Sequence, residues 1–463
     1  MTSVDFPDRP QLAGKRVTII GLGRSAVAAA RLVRQLGAMP FISEKEDTPK
    51  LAPWKALCEK YQLPAEIGGH TERAYEADLF VLSPGVPLNA PVVRKAADSG
   101  IPVTGELELA SRCCHAPLLA VTGTNGKTTT TVLLHHVLTH AGYAADLAGN
   151  NDRPLSEVIL DGATPRAVVV EVSSYQLETA ETFHPVVAAV LNVTPDHLAR
   201  HGSMEAYAAT KSRIFARQRT GDTAVLNADD AWTDAMEPPD GVSVVRFSAR
   251  RELAEGAWFD GTSLRLRHRA LARRKDLRIP GLHNVANALA VAAMADAFGV
   301  NLDGFAEALR TFPGVEHRIE WVAETDGITW YNDSKSTNPD SLRIALEAFD
   351  HPVVLIAGGQ HKEGADYQSL KPLVARKVSA LIAIGDSGDY FTGLYGDDVP
   401  HVRVRGVEEA IVHARNIAQR GAIVLFSPGC ASFDQYNNYE ERGRLLKTRS
   451  GKWLGWNCQK YSG

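Results

Sequence analysis

The run GTNGKTTT at residues 123–130 restricts the possible fold of this chain more than any other feature. An apolar, strand-like stretch at residues 117–121 precedes the run, and residues 127–140 have the composition of a helix. Such a strand, glycine loop and helix form a phosphate cradle, because backbone N–H groups and the helix N-terminus attract an anion. Val121 stands where the usual loop has its first glycine. The sequence therefore predicts a variant nucleotide site, with Lys127 on phosphate oxygens and Thr128 on a magnesium ion.

The chain is divided into three blocks that each begin with a strand and a helix. Its length of 463 residues is typical of about three domains. Short apolar runs alternate with helical segments, which indicates parallel sheets covered on both faces. We place the boundaries near Arg112 and residues 312–314, giving domains 1–112, 113–312 and 313–463. The expected fold is α/β, with a Rossmann-like N-terminal domain, a P-loop-type central ATPase domain and a Rossmann-like C-terminal domain.

Charge and composition exclude several classes of protein. The net charge of −4 gives no basic field for nucleic acid, and no apolar run approaches the length of a membrane span. The N-terminus has no signal-peptide pattern, and the five cysteines have no zinc-site spacing. We expect a cytoplasmic enzyme with reduced thiols and with neither a nucleic-acid nor a membrane partner.

A second glycine turn lies in the first block, at residues 21–25. With Ala26 in the third place and Glu44 after the second strand, it fits a dinucleotide fingerprint. Taken alone, this turn predicts an NAD enzyme, but it suits a diphosphate-bearing substrate equally well. Residues 83–87 form a further rigid turn after a strand, which is typical either of a plain connection or of a place where backbone lies close to a ligand.

The chain beyond the phosphate loop contains Glu171, His197 and Lys211, and the surroundings of each residue indicate a different role. Glu171 ends a predicted strand at residues 166–172, where a carboxylate is placed to hold magnesium. His197 follows the next strand and is a candidate metal ligand or general base. Lys211 lies in a helical stretch that gives it no distinguishing mark, so the pattern alone predicts a surface lysine.

Polar clusters mark the last part of the chain. Asn284 and Asn287 lie one helical turn apart, so they are candidates either for contacts to a base or ribose or for helix capping. Three further polar clusters, at residues 316–318, 331–338 and 427–436, lie at the ends of predicted strands. The charged segment Glu440–Gly443 follows the last cluster. Small and polar residues directly after a strand are typical of binding loops.

Seven ordered motifs identify a family. GTNGKTTT, EVSSYQLE, NVTPDH, GLHNVAN, HR, NDSKSTN and SPGCASFDQY resemble those of the Mur ligases of peptidoglycan synthesis, from about Val17 to Lys447. The resemblance implies an ATP- and Mg²⁺-dependent acid–amino-acid ligase of cell-wall synthesis. Within the family, the chain is similar to the enzymes that add D-glutamate to UDP-N-acetylmuramoyl-L-alanine through an acyl phosphate, releasing ADP and phosphate. The alternatives are a related or folylpolyglutamate-type ligase for another amino acid such as L-glutamate, an NAD-dependent oxidoreductase, and a non-catalytic homologue.

The resemblance also implies roles for individual residues in a monomeric enzyme. The residues implied to act in catalysis are Lys127, His197, Lys211, Arg318 and Lys335. The ATP contacts are Gly123, Thr124, Asn125, Gly126, Lys127, Thr128, Thr129, Asn284, Asn287, Arg318 and Asp333. The contacts to the UDP-linked substrate are Leu22, Gly23, Arg24, Ser25, Ser83, Pro84, Gly85, Asn150 and Gln176. The pocket for glutamate comprises Thr337, Lys362, Ser432, Phe433 and Tyr439. Two magnesium ions are implied, held by Thr128, Glu171, His197 and a carbamylated Lys211.

The chain departs from the family pattern at three places. Residues 149–154 read GNNDRP where GNIGxP is expected, and Ala199 replaces an aspartate. Residues 450–463 have no counterpart that we recognise, and Trp453, Trp456 and Tyr461 there are candidates for packing on the C-terminal domain.

Overall fold

The structure, a computed structural model, describes residues 10–150, 153–162, 164–361 and 364–453. Lys362, Cys458, Trp456 and Tyr461 lie outside the described residues. The chain forms two compact units, one comprising residues 1–274 and 286–308 and the other residues 275–285 and 309–463.

The first unit begins with a five-stranded parallel sheet. Its strand order is β3-β2-β1-β4-β5. The strands are β1 (Arg16–Ile20), β2 (Met39–Glu44), β3 (Ala65–Ile67), β4 (Leu79–Leu82) and β5 (Val103–Gly105). The helices are α1 (Arg24–Gln35), α2 (Ala52–Lys60), α3 (Pro91–Asp98) and α4 (Glu106–Ser111). The sheet order reverses at β1, so the glycine turn after β1 and the turn after β4 lie at the switch point where ligands bind in such sheets.

The same unit contains a nine-stranded sheet in the order β14-β13-β12-β11-β10-β9-β6-β8-β7. Its strands are β6 (Leu118–Thr122), β7 (Ala145–Gly149), β8 (Ala167–Glu171), β9 (Val187–Val190), β10 (Thr223–Asn227), β11 (Ser243–Ser248), β12 (Ala257–Phe259), β13 (Ser263–Leu266) and β14 (Arg269–Arg273). The helices are α5 (Lys127–His140), α6 (Leu155–Leu160), α7 (Ser174–Leu177), α8 (Leu198–His201), α9 (Met204–Ser212) and α10 (Ala231–Asp234). Strands β6 to β12 pair in parallel, whereas β12, β13 and β14 pair antiparallel.

Helix α11 (Leu282–Ala297) contains the boundary between the units, and α12 (Phe305–Thr311) follows it. The second unit has a six-stranded sheet in the order β15-β16-β20-β17-β18-β19, parallel except for the β15–β16 pair. Its strands are β15 (Glu320–Thr325), β16 (Ile328–Asn332), β17 (Val353–Gly358), β18 (Val378–Ile384), β19 (His401–Arg403) and β20 (Ile423–Phe426). Its helices are α13 (Pro339–Glu347), α14 (Lys371–Lys377), α15 (Gly388–Tyr395), α16 (Val407–Ile417) and α17 (Tyr439–Trp453).

The α/β fold predicted from the sequence is confirmed, and so is the helix at residues 127–140. Central strands such as β6, β8 and β17 are buried along their whole length, as continuous apolar runs in a parallel sheet require. The arginine-rich segment Arg265–Arg278 includes most of the β13–β14 hairpin, whose arginines pair with nearby aspartates, including Arg265 with Asp260. Among the described residues, none of the helices has both the length and the apolar character that a membrane crossing requires. The domain boundaries remain a prediction.

Candidate active site

The phosphate loop connects β6 to α5 in the first unit. Gly126 is the N-cap of α5 and has φ of 85°, a left-handed conformation that favours glycine. A Cβ at this position would lie 2.6 Å from Oδ1 of Asn287. Gly123 also has positive φ, and a Cβ there would lie 3.0 Å from Cβ of Leu191. The loop can therefore follow this path only with glycine at both positions, and it leads into the N-terminus of α5, the end of a helix that favours an anion.

Two lysines meet at one carbonyl oxygen of this loop. Lys127 Nζ donates to the oxygens of Gly123 (2.9 Å) and Thr124 (2.8 Å), and Lys211 Nζ donates to the same oxygen of Gly123 at 2.8 Å. Burial and repulsion by Lys127 lower the pKa of Lys211 to about 7, although Asp196 opposes the shift. A substantial fraction of Lys211 is therefore the neutral, nucleophilic amine near pH 7.

The surface position that the helical pattern predicts for Lys211 is wrong. Its side chain is 1% exposed and lies against the ring of Tyr207, with 4.4 Å between Nζ and the ring centroid. The helix α9 carries only a weak apolar stripe, so nothing in the local pattern shows that Lys211 faces inward. Its burial depends on β6 and the phosphate loop, which are distant in sequence.

Asn192, at the end of β9, fixes the backbone of the phosphate loop. Its carbonyl accepts from the amide of Thr124 at 2.9 Å. Its side chain accepts from the amide of Asn125 at 2.8 Å and donates to the carbonyl of Asn125 at 3.1 Å. Asn192 lies in the NVTPDH motif, but the residue pattern assigns it no role. Its position directly after a parallel strand beside β6 is the signal that could have identified it.

Glu171 lies where the sequence predicts a magnesium ligand. It ends β8, beside Val121 of β6, and is 3% exposed. Its Oε1 accepts from Nδ2 of Asn150 at 3.1 Å, whereas its buried Oε2 has no hydrogen-bond partner among the described residues. A buried carboxylate oxygen without a donor fits a divalent cation, and Thr128 in the first turn of α5 supplies the hydroxyl type that such sites use. The described residues contain no preformed group of three or more His, Cys, Asp or Glu side chains for a metal.

His197 belongs to an aromatic cluster beside Lys211. It has φ of 52° at the N-cap of α8, and its ring centroid lies 5.0 Å from that of Tyr175. Tyr175 also stacks on His201, and His201 lies 4.9 Å from Tyr207, the residue under Lys211. The cluster thus connects two of the predicted metal ligands through packed rings. The side chain of the neighbouring Ala199 lies outside the part of the chain that the structure describes.

The residues predicted to bind the UDP-linked substrate lie in three places, of which one is Asn150 beside Glu171. Ser83, Pro84 and Gln176 line one cavity. Ser83 Oγ in this wall is buried without a hydrogen-bond partner among the described residues. Gln176 closes a capping box with Ser173 at the start of α7.

At the first glycine turn, the amide of Leu22 donates to Oε2 of Glu44 at 2.7 Å. Arg24 makes a two-point ion pair with Glu157, with contacts of 2.9 and 2.8 Å. Gly23 is the N-cap of α1, and Ser25 lies in its first turn. Gly85 follows the cavity wall, and a Cβ there would meet no atom within 4 Å.

In the second unit, Arg318 is held on a strained turn. His317 and Ile319 on either side of it have φ of 61° and 42°, unusual for residues with a side chain. The amide of His317 donates to Oε2 of Glu320 (3.0 Å), and the amide of Ile319 donates to Oδ1 of Asp333 (3.1 Å). These two carboxylates hold the turn in the conformation that directs Arg318 to the surface.

Asp333, predicted as an ATP contact, is 5% exposed and also accepts from Ser427 Oγ at 2.7 Å. Burial raises the pKa of its carboxyl to about 7, while these hydrogen bonds oppose the shift. Lys335 follows it on the surface, with its Nζ 5.7 Å from the ring centroid of Tyr439. Asn284 is buried and donates to the carbonyl of Pro280 at 2.6 Å.

The remaining residues predicted for the glutamate pocket differ in exposure. Ser432 is buried and Phe433 is 68% exposed, on the loop that follows β20. Thr337 and Tyr439 are partly buried, and Tyr439 begins α17. The two neighbours Ser432 and Phe433 therefore present one buried polar side chain and one exposed ring on the same loop.

Three α/β sheets, a glycine phosphate loop and a buried carboxylate at the adjacent strand end define a nucleotide-binding enzyme of modular construction. Comparison with known proteins specifies its kind. The chain matches the Mur ligase MurD-like N-terminal domain over residues 15–105, the Mur ligase middle domain over 121–295 and the glutamate ligase domain of Mur ligases over 317–430.

The chain is 43% identical to the UDP-N-acetylmuramoylalanine--D-glutamate ligase of Pelotomaculum thermopropionicum, covering 94% of this chain and 96% of that protein. It is 42% identical to the enzyme of the same name from Salinibacter ruber, covering 94% and 98%. Among solved structures, MurC from Thermotoga maritima has a TM-score of 0.57 at 21% identity, covering 95% of this chain and all of that one. MurF from Acinetobacter baumannii has a TM-score of 0.59 at 18% identity, covering 95% and 94%.

The chain belongs to the Mur ligase family. It is therefore an ATP-dependent ligase of the kind that uses Mg²⁺. The first glycine turn needs no NAD to explain it, since the matching N-terminal domain is that of a ligase.

Proposed function

We propose that this enzyme adds D-glutamate to UDP-N-acetylmuramoyl-L-alanine at the expense of ATP, during synthesis of the peptidoglycan precursor. The observation that carries the proposal is the convergence of Lys127 and Lys211 on the Gly123 carbonyl, next to Glu171 on the adjacent strand. Relatives that match nearly the whole chain bear the name of this activity.

The proposed reaction has two steps. A carboxylate oxygen of the UDP-linked substrate attacks the γ-phosphorus of ATP, and the bond to the β-phosphate oxygen breaks to release ADP. The amine of glutamate then attacks the acyl phosphate, loses a proton, and expels phosphate to leave an amide. Little covalent chemistry is asked of the protein, so positioning and charge neutralisation account for most of the rate.

Each step assigns work to particular side chains. Lys127 neutralises phosphate oxygens at the N-terminus of α5, where the helix dipole favours the same charge. Arg318 and Lys335 are proposed to neutralise the transferred phosphoryl group, and Thr129, Asn284, Asn287 and Asp333 to support the nucleotide. Bound Mg²⁺ supplies the positive charge that lets a carboxylate and a triphosphate approach each other.

Two ions are proposed, held by Thr128, Glu171, His197 and a carbamate on Lys211. Burial of Lys211 and its low pKa support carbamylation, since only a neutral amine can attack CO₂. The product exchanges a buried cation for an anion beside Lys127, which replaces a repulsion with an attraction. The orphaned Glu171 Oε2 supports the ion nearer the phosphate loop.

The two other substrates are assigned to separate surfaces. We assign the UDP-linked substrate to the glycine turn at residues 22–25, residues 83–85, Asn150 and Gln176, of which Ser83, Pro84 and Gln176 share a cavity. We assign glutamate to Thr337, Lys362, Ser432, Phe433 and Tyr439. We further propose a monomer that acts in the cytoplasm.

The proposal is tested by ADP release from the purified enzyme with ATP, UDP-N-acetylmuramoyl-L-alanine and D-glutamate. Release should require both other substrates, and L-glutamate should fail to replace the D-isomer. Equal turnover with L-glutamate, or release that depends on neither substrate, would overturn the assignment. Lys127→Ala should abolish release, and retained turnover would show that the phosphate site is elsewhere.

A further inference from the structure

Arg442 on α17 is one of the largest fully buried side chains of the second unit, with 1% exposure. Its guanidinium donates to three backbone carbonyls: Ser334 (2.9 Å), Cys430 (3.0 Å) and Ala431 (3.2 Å). Its Nε also donates to the hydroxyl of Ser334 at 3.1 Å. None of its hydrogen-bond partners in the described part of the chain is a carboxylate, so carbonyl dipoles and one hydroxyl hold this buried cation.

These acceptors lie on the segments that carry the proposed amino-acid site. Ser334 stands between Asp333 and Lys335, on the segment after β16. Cys430 and Ala431 directly precede Ser432 and Phe433, on the loop after β20. One planar guanidinium therefore fixes the distance between two loops that are about a hundred residues apart in sequence.

The same network reaches two more segments. The hydroxyl of Ser334 donates to the carbonyl of Tyr439 at 2.8 Å, at the start of α17. The carbonyl of Ala431 accepts from the amide of Gln360 at 2.9 Å, on the segment after β17. A Cβ on Gly359 would lie 2.5 Å from the Ala431 oxygen and 3.0 Å from Nη1 of Arg442, so this segment approaches closely only because it has glycine there.

A structural role alone does not explain this choice of residue. Burying a guanidinium that donates to no carboxylate is costly, even though Asp434 and Asp333 lie near enough to favour its charge. An apolar side chain of similar volume serves equally well where only packing is needed. The rigid fork of arginine, however, offers several donors in one plane, which lysine cannot do with a single nitrogen. A buried arginine that is present despite this cost indicates that the two loops it joins, at residues 333–335 and 430–433, must keep a fixed geometry.

We propose that Arg442 is the positioning residue of the amino-acid pocket: it sets the spacing between the segment at 333–335, the loop at 430–433 and Tyr439, and so determines affinity for the incoming amino acid without touching it. This inference rests on the proposed function, since it takes the pocket from the assignment of glutamate to these segments. The ligand of this pocket is an amino acid with a second carboxylate.

The test compares Michaelis constants in Arg442→Lys, with Arg403→Lys as the matched control. Arg403 lies in the same unit and also donates to two carbonyls, of Val404 and Gly385, but none of its partners is on the segments at 333–335 or 430–439. We expect Arg442→Lys to raise the KM for D-glutamate about tenfold, the factor for one lost charge-assisted hydrogen bond, with the KM values for ATP and the UDP-linked substrate within about twofold of wild type. Arg403→Lys should change none of the three.

Michaelis constants separate positioning from stability, because a smaller folded fraction lowers apparent kcat and leaves KM unchanged. A second variant, Ser334→Ala, removes the hydroxyl between Arg442 and Tyr439 and should raise the KM for D-glutamate about threefold, in line with one neutral hydrogen bond. If Arg442→Lys does not fold, Ser334→Ala decides the question.

An unchanged KM for D-glutamate in the folded variants would overturn the inference, and so would a parallel rise for all three substrates. Failure of the proposed function has a different signature, because the wild-type enzyme itself would then release no ADP in response to D-glutamate. An active wild type with insensitive variants would refute only the role of Arg442.

Discussion

Lys127 and Lys211 donate to the same backbone oxygen, that of Gly123, at 2.9 and 2.8 Å. Two ammonium groups this close repel each other, and the repulsion adds to burial in lowering the pKa of Lys211 to about 7. The Gly123 carbonyl of the phosphate loop therefore accepts from one cation that can neutralise phosphate, Lys127, and from one amine that is readily neutral, Lys211. This pairing connects the nucleotide site to the proposed carbamate.

Lys211→Ala should lower kcat by about 100-fold or more, because it removes a proposed charge beside the transferred phosphoryl group. Added short carboxylic acids should restore part of the activity by occupying the position of the carbamate. The measurement is ADP release with and without the acid. Lys127→Ala is the control, since no anion can replace its positive charge. Rescue of both variants, or of neither, would contradict the carbamate assignment.

Gly126→Ala should reduce kcat/KM for ATP by about 100-fold, because the added methyl group collides with Asn287 and displaces the loop. Gly142→Ala is its matched control, at the other end of the same helix. Gly142 has a similar φ of 79°, but a Cβ there meets nothing within 4 Å. Both variants carry comparable backbone strain, so equal losses of activity would mean that strain, rather than the phosphate site, is responsible.

Glu171→Gln keeps the shape of the side chain and removes its charge. We expect kcat to fall about 100-fold and the Mg²⁺ concentration for half-maximal rate to rise, since an amide is a poorer ligand for Mg²⁺. Glu205→Gln, at an exposed position on α9, should leave the Mg²⁺ dependence unchanged. A Mg²⁺ titration identical to wild type in Glu171→Gln would place the ion elsewhere.

Asp333→Asn should change how stability depends on pH. The folded-state pKa is raised from 3.8 to about 7, so the native protein binds more protons than the unfolded chain between these values. The contribution of Asp333 to stability is therefore present below pH 4 and is lost as pH rises towards 7. Relative to wild type, the variant should gain up to about 1.4 kcal/mol per pH unit across this window.

Urea unfolding at several pH values checks this expectation. Asp350→Asn, an exposed carboxylate in the same unit, serves as the control and should run parallel to wild type. If the free energy of unfolding of Asp333→Asn also runs parallel to that of wild type between pH 4 and 7, the Asp333 carboxylate is ionised throughout this range.

Much of the fold follows from local pattern. The strands predicted at residues 117–121 and 166–172 form as β6 and β8 within one residue at each end. Helix α5 begins and ends at the predicted residues because Gly126 and Gly142 flank it. The positions of Glu171 and Asn192 also follow, since the ends of parallel strands meet at one edge of a sheet.

The sequence did not reveal features that depend on contacts between distant segments. Lys211 is unremarkable on its helix and is buried only because the phosphate loop packs over it. Arg442 appears in a charged segment at the start of α17, where a solvent-exposed side chain is the natural expectation. Its acceptors are backbone carbonyls, and these leave no trace in the pattern of side chains.

The fate of one carboxylate oxygen distinguishes an acyl-phosphate mechanism from the alternatives. UDP-N-acetylmuramoyl-L-alanine labelled with ¹⁸O in its carboxylate is converted in the presence of ATP and D-glutamate, and the released phosphate is analysed by mass spectrometry. If the γ-phosphate is transferred to the carboxylate and then expelled by the amine, each phosphate carries one labelled oxygen. Phosphate without label would contradict an acyl phosphate and, with it, the proposed transfer of the γ-phosphate to the substrate carboxylate.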